Sequence, residues 1–455
     1  MSKPKTAAIS RNLDGRDASR TPDPPDFPSL LLLPIADLSP DPGNPRLHSR
    51  QQVRAIARSI DEFGFNAPVL IDEGKRIIAG HGRYEAAKLL GRPKIPTLCL
   101  AHLSKAQAHA YMLADNKLND RSNWDDPKLA AFLKELSLEI PDLQVTGFEQ
   151  PEIDLRIQSA DESDPDSADD FETSDLPPIS TLGDLWNLGK HKIFCGNALD
   201  SGSYDHLQGE QASAVFTDPP YNVKIGGHVR GKGKRHKEFV MGSGELTAPQ
   251  FQLLLNDSLK NCAEHSQPGA LIYVCMDWRH MSEMLTAGAK NYLQLTNLCV
   301  WVKTSGAMGS MYRSRHELVF VFKNGKSAHV NNIQLGRFGR NRTNVWNYAG
   351  ANGFGRRDSI DDFDSHPTVK PVRLVQDAIL DCTHQGNIIL DPYLGSGTTI
   401  LAAERTGRRC FGIELDPVHV DTAIRRWEAM TAQKAVNDKG LSFEDTAAAK
   451  LPAQG

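Results

Sequence analysis

The sequence is poor in cysteine placed for chemistry. Its 7 cysteines, Cys99, Cys195, Cys262, Cys275, Cys299, Cys382 and Cys410, are an odd number with no Cys-x-x-Cys pair and no histidine at ligand spacing. That argues against a disulfide framework and against zinc, and no metal site is expected. The thiols read instead as small buried apolar groups, as Cys275 does within the run Leu271 to Met276. Long hydrophobic runs are also missing. The densest early one, Leu30 to Ile35, is too short to span a bilayer and reads as an opening strand. Residues 1–28 contain no apolar stretch of signal-peptide length. They are expected to be disordered, and the protein to be cytoplasmic and away from membrane. No repeat of fixed period is visible, and residues 434–455 read as a flexible tail.

The net charge of −4 is small, and it is unevenly spread. Residues 161–175 carry Asp161, Glu162, Asp164, Asp166, Asp169, Asp170, Glu172 and Asp175 with no basic residue, so the remainder of the chain is net positive. A stretch so acidic and so poor in aromatics buries too little apolar surface to offset its ordering entropy. It reads as a linker over 158–178 that divides the chain. Ahead of it, strand signals (Pro68 to Asp72, Arg76 to Ala79, Ile95 to Leu100) alternate with a helix over Gly82 to Leu90. Helical stretches follow from Ser104 to Leu118, from Asp126 to Leu136 and from Glu149 to Ile157, the last two within a helical extension, 122–157.

Behind the linker, apolar runs bounded by turn residues recur at Lys192 to Cys195, Ala212 to Thr217, Ala270 to Met276, Leu295 to Val302, Glu317 to Phe322, Asn387 to Leu390 and Cys410 to Glu414. Each reads as a largely buried strand. Helix signals lie between several of them, among them Thr247 with Gln250 as a capping box, and Pro371 opening a periodic run to Cys382. Alternating strands and helices predict an α/β fold with a mainly parallel, doubly wound sheet.

Directly after the strand Ala212 to Phe216 comes Thr217-Asp218-Pro219-Pro220-Tyr221, at the strand end where open α/β sheets bind ligands. An aromatic amine is a poor nucleophile until its nitrogen begins to pyramidalise, and two acceptors on its two protons favour that change. The Asp218 carboxylate supplies one. The backbone carbonyl of Pro219 can supply the other, because the prolines fix φ and hold its direction. Tyr221 offers a face for an extruded base.

A second segment, Leu390-Asp391-Pro392-Tyr393-Leu394-Gly395-Ser396-Gly397-Thr398-Thr399, follows a strand and opens a helix. Glycines at Gly395 and Gly397 allow close approach of a ligand, and the helix start offers free N–H groups. About 20 residues on, Phe411-Gly412-Ile413-Glu414 ends a strand with a carboxylate, the separation used to bind ribose hydroxyls in dinucleotide folds. This spacing admits NAD as well as S-adenosylmethionine.

Taken together, Asp218 to Tyr221, Asp391 to Thr399 and His366-Pro367-Thr368-Val369-Lys370-Pro371 resemble the motifs of the amino-methylating DNA methyltransferases. With the catalytic motif ahead of the cofactor motif, the order is that of the family's beta class. The resemblance covers about 179–433 and implies a Rossmann-like S-adenosylmethionine-dependent sheet. It implies catalysis by Asp218, Pro219, Pro220 and Tyr221. It implies cofactor binding by Asp391, Pro392, Gly395, Ser396, Gly397, Thr398, Glu414, Lys370 and Asn197. At Asn197 the chain departs from the family, which commonly has Gly-Asp where this chain has Gly196-Asn197. Target recognition would occupy roughly 222–365, on double-stranded DNA. An acidic first residue such as Asp218 is in that family usually linked to adenine, and serine to cytosine. Such enzymes occur in restriction-modification systems of prokaryotes and phages, and similar enzymes are commonly dimers, so a homodimer is expected.

Between the motifs, Lys224, Arg230, Lys232, Lys234, Arg235 and Lys237 lie among glycines, a basic loop suited to phosphates. The Arg313-Ser314-Arg315-His316-Glu317 and Arg337 to Arg342 clusters are further DNA-contact candidates, with His316 read as a structural hydrogen-bonding residue. At the front, Ala79-Gly80-His81-Gly82-Arg83 follows a strand and opens a helix. With Asn44-Pro45-Arg46 upstream and Asp115-Asn116-Lys117 downstream, it makes residues 29–121 resemble the smaller α+β ParB/sulfiredoxin-like domain. There a Gly-x-x-Arg turn binds nucleotide phosphates, which implies a nucleotide at Gly80 and Arg83. A sulfiredoxin cysteine is absent. Two other readings stand beside adenine methylation. One is the same chemistry on the cytosine amine; the other is a non-enzymatic ParB-like DNA-binding regulator with an inactive methylase domain.

Overall fold

Short apolar runs separated by amphipathic stretches fold here as strands alternating with helices, in two separate units. The computed structural model describes residues 29–119, 124–137, 139–140, 142–160, 167–169, 171, 177–223, 244–291, 293–303, 311–336, 340–348 and 370–450. Among the described residues no helix is long and apolar enough to cross a membrane.

The front unit is a mixed sheet with helices. Its strands are β1 (Leu30–Pro34), β2 (Ser39–Pro40), β3 (Val69–Ile71), β4 (Arg76–Ala79) and β5 (Lys94–Cys99), in the order β1-β5-β3-β4-β2. The helices are α1 (Arg50–Phe63), α2 (His81–Leu89) and α3 (Lys105–Asn119). Val69, Ile71, Ile77 and Ile95 alternate into one core with Tyr84 and Ala87 of α2. The Ser49 side chain caps α1 by accepting from Gln52 N, and Gly64 at φ 83° ends it.

The second unit begins with α4 (Asp126–Leu136) and α5 (Gln150–Ala160), which bury Leu129, Leu133 and Ile153 between them. Then follow β6 (Leu185–Leu188), β7 (His191–Cys195), β8 (Ala212–Thr217), α6 (Ala248–Glu264), β9 (Ser266–Met276), α7 (Met281–Lys290), β10 (Gln294–Val302), β11 (His316–Lys323) and β12 (Val345–Asn347). The unit continues with α8 (Val372–Cys382), β13 (Ile388–Asp391), α9 (Thr398–Arg405), β14 (Arg409–Glu414), α10 (Pro417–Thr431), β15 (Val436–Asn437) and α11 (Phe443–Lys450). The expected Thr247–Gln250 capping box starts α6.

The described strands form one sheet, β12-β10-β11-β9-β8-β13-β14-β7-β6-β15. Its centre, β9-β8-β13-β14-β7, is parallel, while β11 and β6 run antiparallel to their neighbours. Helices α8, α9 and α10 cover one face through Leu374, Ile379, Leu401, Ile424 and Trp427. The other is covered by α6 and α7 through Phe251, Leu255, Leu259 and Met284. This is the expected doubly wound α/β sheet, and β8 and β13 are neighbours whose next strands lie on opposite sides. That is a topological switch point, where a crevice opens beyond the strand ends.

Three expectations are corrected. The segment 434–450 is no loose tail: β15 pairs with β6, and Phe443 of α11 packs edge-on against Trp186 at 5.4 Å between ring centroids. Much of the region allotted to target recognition, 222–365, builds the sheet itself, as β9 to β12 with α6 and α7. The apolar runs of β9 and β11 are buried on both faces and so belong to the core, whereas β10 is exposed over Gln294 to Asn297. Within the acid-rich stretch expected as a linker, Asp169 Oδ1 accepts from Val372 N at 3.0 Å, and the Ala168 carbonyl accepts from Arg426 at 2.7 Å.

Six of the cysteines are buried and Cys99 is partly so. Burial pushes the thiols of Cys195, Cys262 and Cys382 up to about 12, which makes them unreactive packing groups.

Candidate active site

The Asp218 motif leaves the end of β8, and the Asp391 motif leaves the end of the adjacent parallel strand β13. Val215 and Leu390 are register partners, and both motifs follow within a few residues of that pair. The structure therefore brings the two motifs together across the switch point from opposite ends of the sequence.

At the first motif both Asp218 oxygens are occupied. The Tyr221 hydroxyl donates to Oδ1 at 2.6 Å, and the Lys370 ammonium donates to Oδ2 at 2.6 Å. Lys370 was expected on the cofactor side. It stands on the Asp218 carboxylate, directly ahead of Pro371 at the start of α8. Lys370 also pairs with Glu317 Oε2 at 3.0 Å, and Lys303 bonds the other oxygen of Glu317. Burial works against the Lys370 charge, but Asp218 and Glu317 outweigh it and hold the lysine protonated well above its usual range. Pro219 is buried, Pro220 and Tyr221 are half-buried.

Asn222 follows at φ 52°. Its Oδ1 accepts from Gly244 N and Leu246 N, both at 3.1 Å, and its Nδ2 donates to the Leu246 carbonyl at 2.9 Å. One side chain thus ties the two ends of the basic loop beside the catalytic motif. The expected phosphate-binding residues Lys224 to Lys237 lie outside the described residues, as do His366 to Val369. Nothing in the sequence marked Asn222, since an asparagine after a turn is common, and Glu317 stood out only within a cluster read as DNA-facing, whereas it is buried on Lys370 and Lys303.

At the second motif Gly395 has φ 55°, and a side chain there would meet open space. Gly397, at φ 86°, starts α9, and a Cβ on it would come within 2.6 Å of Ala423 Cβ on α10. Glu414, from the end of β14, accepts from Gly395 N at 2.7 Å and from Asp416 N at 2.8 Å. It stands beside the glycine turn with a lone pair left on each oxygen. Ser396 and Thr398 are held by Arg426 of α10, which donates to the Ser396 carbonyl at 2.8 Å and Oγ at 3.0 Å and reaches Thr398 Oγ1 at 3.4 Å.

Asp391 is buried beneath the loop, taking the Thr399 hydroxyl at 2.6 Å and Tyr393 N at 3.2 Å. It braces the turn from inside, next to buried Pro392, and burial pushes its carboxyl up to about 7. Asn197 is exposed just past β7. Gly196 N donates to the Glu414 carbonyl at 2.9 Å, and the Asn197 side chain accepts from Leu199 N at 3.0 Å. This puts Asn197 on the same edge as Glu414.

Two DNA-contact candidates are corrected. Arg340 is buried and pairs with Asp381 at 2.6 Å and Asp377 at 3.3 Å, while Arg342 pairs with Asp381 at 3.1 Å and Asp377 at 3.2 Å. These guanidiniums fasten β12 to α8 and are not offered to a phosphate. Arg337 lies outside the described residues, while Arg313, Arg315 and His316 are exposed.

In the front unit, Gly80 has φ 96° and starts α2, as the Gly-x-x-Arg reading requires. Arg83 donates to the carbonyls of Ala67 at 2.9 Å and Pro68 at 3.1 Å, with its guanidinium 3.2 Å from where a Cβ of Gly80 would be.

Residues 212–425 match a family model described as DNA methylase, and residues 28–117 match one described as ParB N-terminal domain. Type II methyltransferase M.HpaI of Haemophilus parainfluenzae is 22% identical over 252 residues, covering 52% of this chain and 74% of that protein. Type II methyltransferase M2.DpnII of Streptococcus pneumoniae is 26% identical over 232 residues, 49% of this chain and 85% of that protein. Among solved structures, PvuII DNA methyltransferase (cytosine-N4-specific) aligns with a TM-score of 0.41 and 17% identity over 59% of this chain and 92% of that one.

The methyl donor of the family is S-adenosylmethionine. The residues present fit it: an acidic acceptor, Glu414, beside a glycine turn that opens on free space suits ribose hydroxyls and a cationic sulfonium ligand. Residues 28–117 thus carry a ParB N-terminal domain and residues 212–425 a DNA methyltransferase domain of the N6/N4 (adenine or cytosine-N4) family.

Proposed function

We propose that the chain methylates the exocyclic amine of adenine at specific sites in double-stranded DNA. The observation that carries this reading is the carboxylate of Asp218 at the end of β8, next to the parallel strand β13 whose end leads into the glycine turn. A carboxylate at the first motif position accepts a proton of the amine strongly. The Pro219 carbonyl takes the second proton, and the pair draws the nitrogen toward a nucleophilic geometry. Tyr221 stacks on the extruded base. Glu414 holds the ribose of the methyl donor, Gly395, Ser396, Gly397 and Thr398 form the turn around it, and Asp391 and Pro392 support that turn from beneath. Asn197 borders the adenosine end. When bound, S-adenosylmethionine supplies an activated methyl on a sulfonium, so the protein needs only to orient the amine and exclude water.

The basic loop 224–237 contributes phosphate contacts, and the front unit serves as a phosphate-binding accessory through Gly80 and Arg83. Nucleoside triphosphate titration of the protein and of Arg83→Ala tests that role; equal binding by both overturns it.

Mass spectrometry of nucleosides from DNA of expressing cells is expected to give N6-methyladenine. N4-methylcytosine would overturn the base assignment. Asp218→Ala is expected to lower methyl transfer at least a thousandfold while cofactor affinity stays within about threefold.

A further inference from the structure

Glu317 has no part in the reaction as described, yet it is buried against the group that does. It opens β11, two strands away from β8, and is 9% exposed. Its Oε2 lies 3.0 Å from Lys370 Nζ and 3.2 Å from the Tyr221 hydroxyl, and its Oε1 bonds Lys303. Four charged groups therefore meet at the strand ends: Asp218 and Glu317 against Lys370 and Lys303. The set is neutral.

This arrangement poses a problem for an incoming amine. Both oxygens of Asp218 already have donors, Tyr221 on one and Lys370 on the other. An amino group can donate to a lone pair that remains on Asp218, but it then shares the carboxylate with the full positive charge of Lys370 on Oδ2, which weakens Asp218 as an acceptor. Glu317 Oε2 is within reach of both donors, but only the lysine carries the charge that competes with the amine, and its three protons can be shared between the two carboxylates. Lys370 is a four-carbon chain ending in three rotatable donors, so shifting its bonds from one carboxylate to the other needs only a small swing.

Resting on the reading of Asp218 as the acceptor for the target amine, we propose that Glu317 is a positioning residue that takes up the Lys370 ammonium as the amine takes the lysine's place on Asp218. Glu317 is suited to this because it stays charged. Burial raises its pKa, but Lys370 and Lys303 outweigh burial and bring it down to about 2. Without that charge the lysine would have one carboxylate left, and its hold on Asp218 would tighten. Lys303 keeps Glu317 in place from the other side, so the receiving carboxylate does not swing toward the pocket. No covalent step is added: the lysine keeps its proton throughout, and only hydrogen bonds are exchanged.

The test measures single-turnover transfer of a tritiated methyl to plasmid DNA, with rates expressed per cofactor-binding site titrated without DNA. Glu317→Gln is expected to slow transfer at least tenfold while the cofactor dissociation constant stays within about twofold, and Glu317→Asp to lose less. The double variant Glu317→Gln with Lys370→Met is expected to be at least threefold faster than Glu317→Gln alone, since the competitor for Asp218 is gone. A Glu317→Gln rate equal to the parent, or a double variant no faster than the single, overturns the proposal. Should Glu317→Gln fail to fold, Glu317→Asp with and without Lys370→Met gives the same comparison. A fully active Asp218→Ala would instead overturn the catalytic reading beneath it, so the two failures are distinguishable.

Discussion

Asp391 shows how one side chain can stabilise a loop and still weaken the fold. It accepts two hydrogen bonds under the glycine turn, but burial raises its carboxyl to about 7. A raised folded pKa means that the native state keeps a proton the unfolded chain has released. Stability is therefore highest below the unfolded value near 4 and falls as pH climbs toward about 7. Asp391→Asn removes that dependence, and thermal unfolding is expected to show it melting on the order of 5 °C above the parent at pH 8, with the gap closing below about pH 4. An equal gap at both pH values would contradict the assignment. Other residues at this scale were legible in the sequence. Asp218, Gly395 and Glu414 were marked by motifs whose chemistry needs those residue types at strand ends. Glu317 was not, because its meaning comes from Lys370 and Lys303, which no local spacing connects to it.

Elements show the same divide. The strands of the large sheet were readable because a parallel strand covered on both faces is a continuous apolar run, as in Ala212–Thr217. Helix α1 passed unmarked because only Val53, Ile56, Ala57 and Ile60 form its apolar stripe among arginines and glutamines. Arg340 and Arg342 looked like a DNA-facing cluster because their partners Asp377 and Asp381 lie on another element. Ion pairs between elements also hold α5. Arg408, 0% exposed in its side chain, donates to Asp154 of α5 at 2.8 and 3.0 Å and to the Thr383 carbonyl at 2.7 Å. Asp154→Ala would strand that guanidinium in the interior, at a cost of about 3–5 kcal/mol. Urea unfolding followed by tryptophan fluorescence is expected to show the loss, and a midpoint equal to the parent's would show that α5 is not anchored this way.

At the scale of the whole molecule, the chain divides into a ParB-like unit and a methylase unit, and the acidic stretch over 161–175 distorts the overall charge. The division was legible from composition, but the boundary was not. Composition suggests a join over 158–178, whereas α4 and α5 group with the sheet unit. Asp169 and Phe171 are fastened to that unit as well, Asp169 on the backbone N–H of Val372 and Phe171 under the Arg426 guanidinium at 3.9 Å. Acidic residues usually favour solvent, yet here one of them supplies the N–H acceptor at the start of α8, two residues after Lys370. A polypeptide begun at residue 177 therefore lacks Asp154 for Arg408, Ala168 for Arg426 and Asp169 for Val372. One begun at residue 125 keeps all three, and only the longer fragment is expected to bind the methyl donor stably. A self-sufficient methylase fragment is thus expected to start well upstream of its first motif, with Ala168, Asp169 and Phe171 of an acid-rich run among its fasteners.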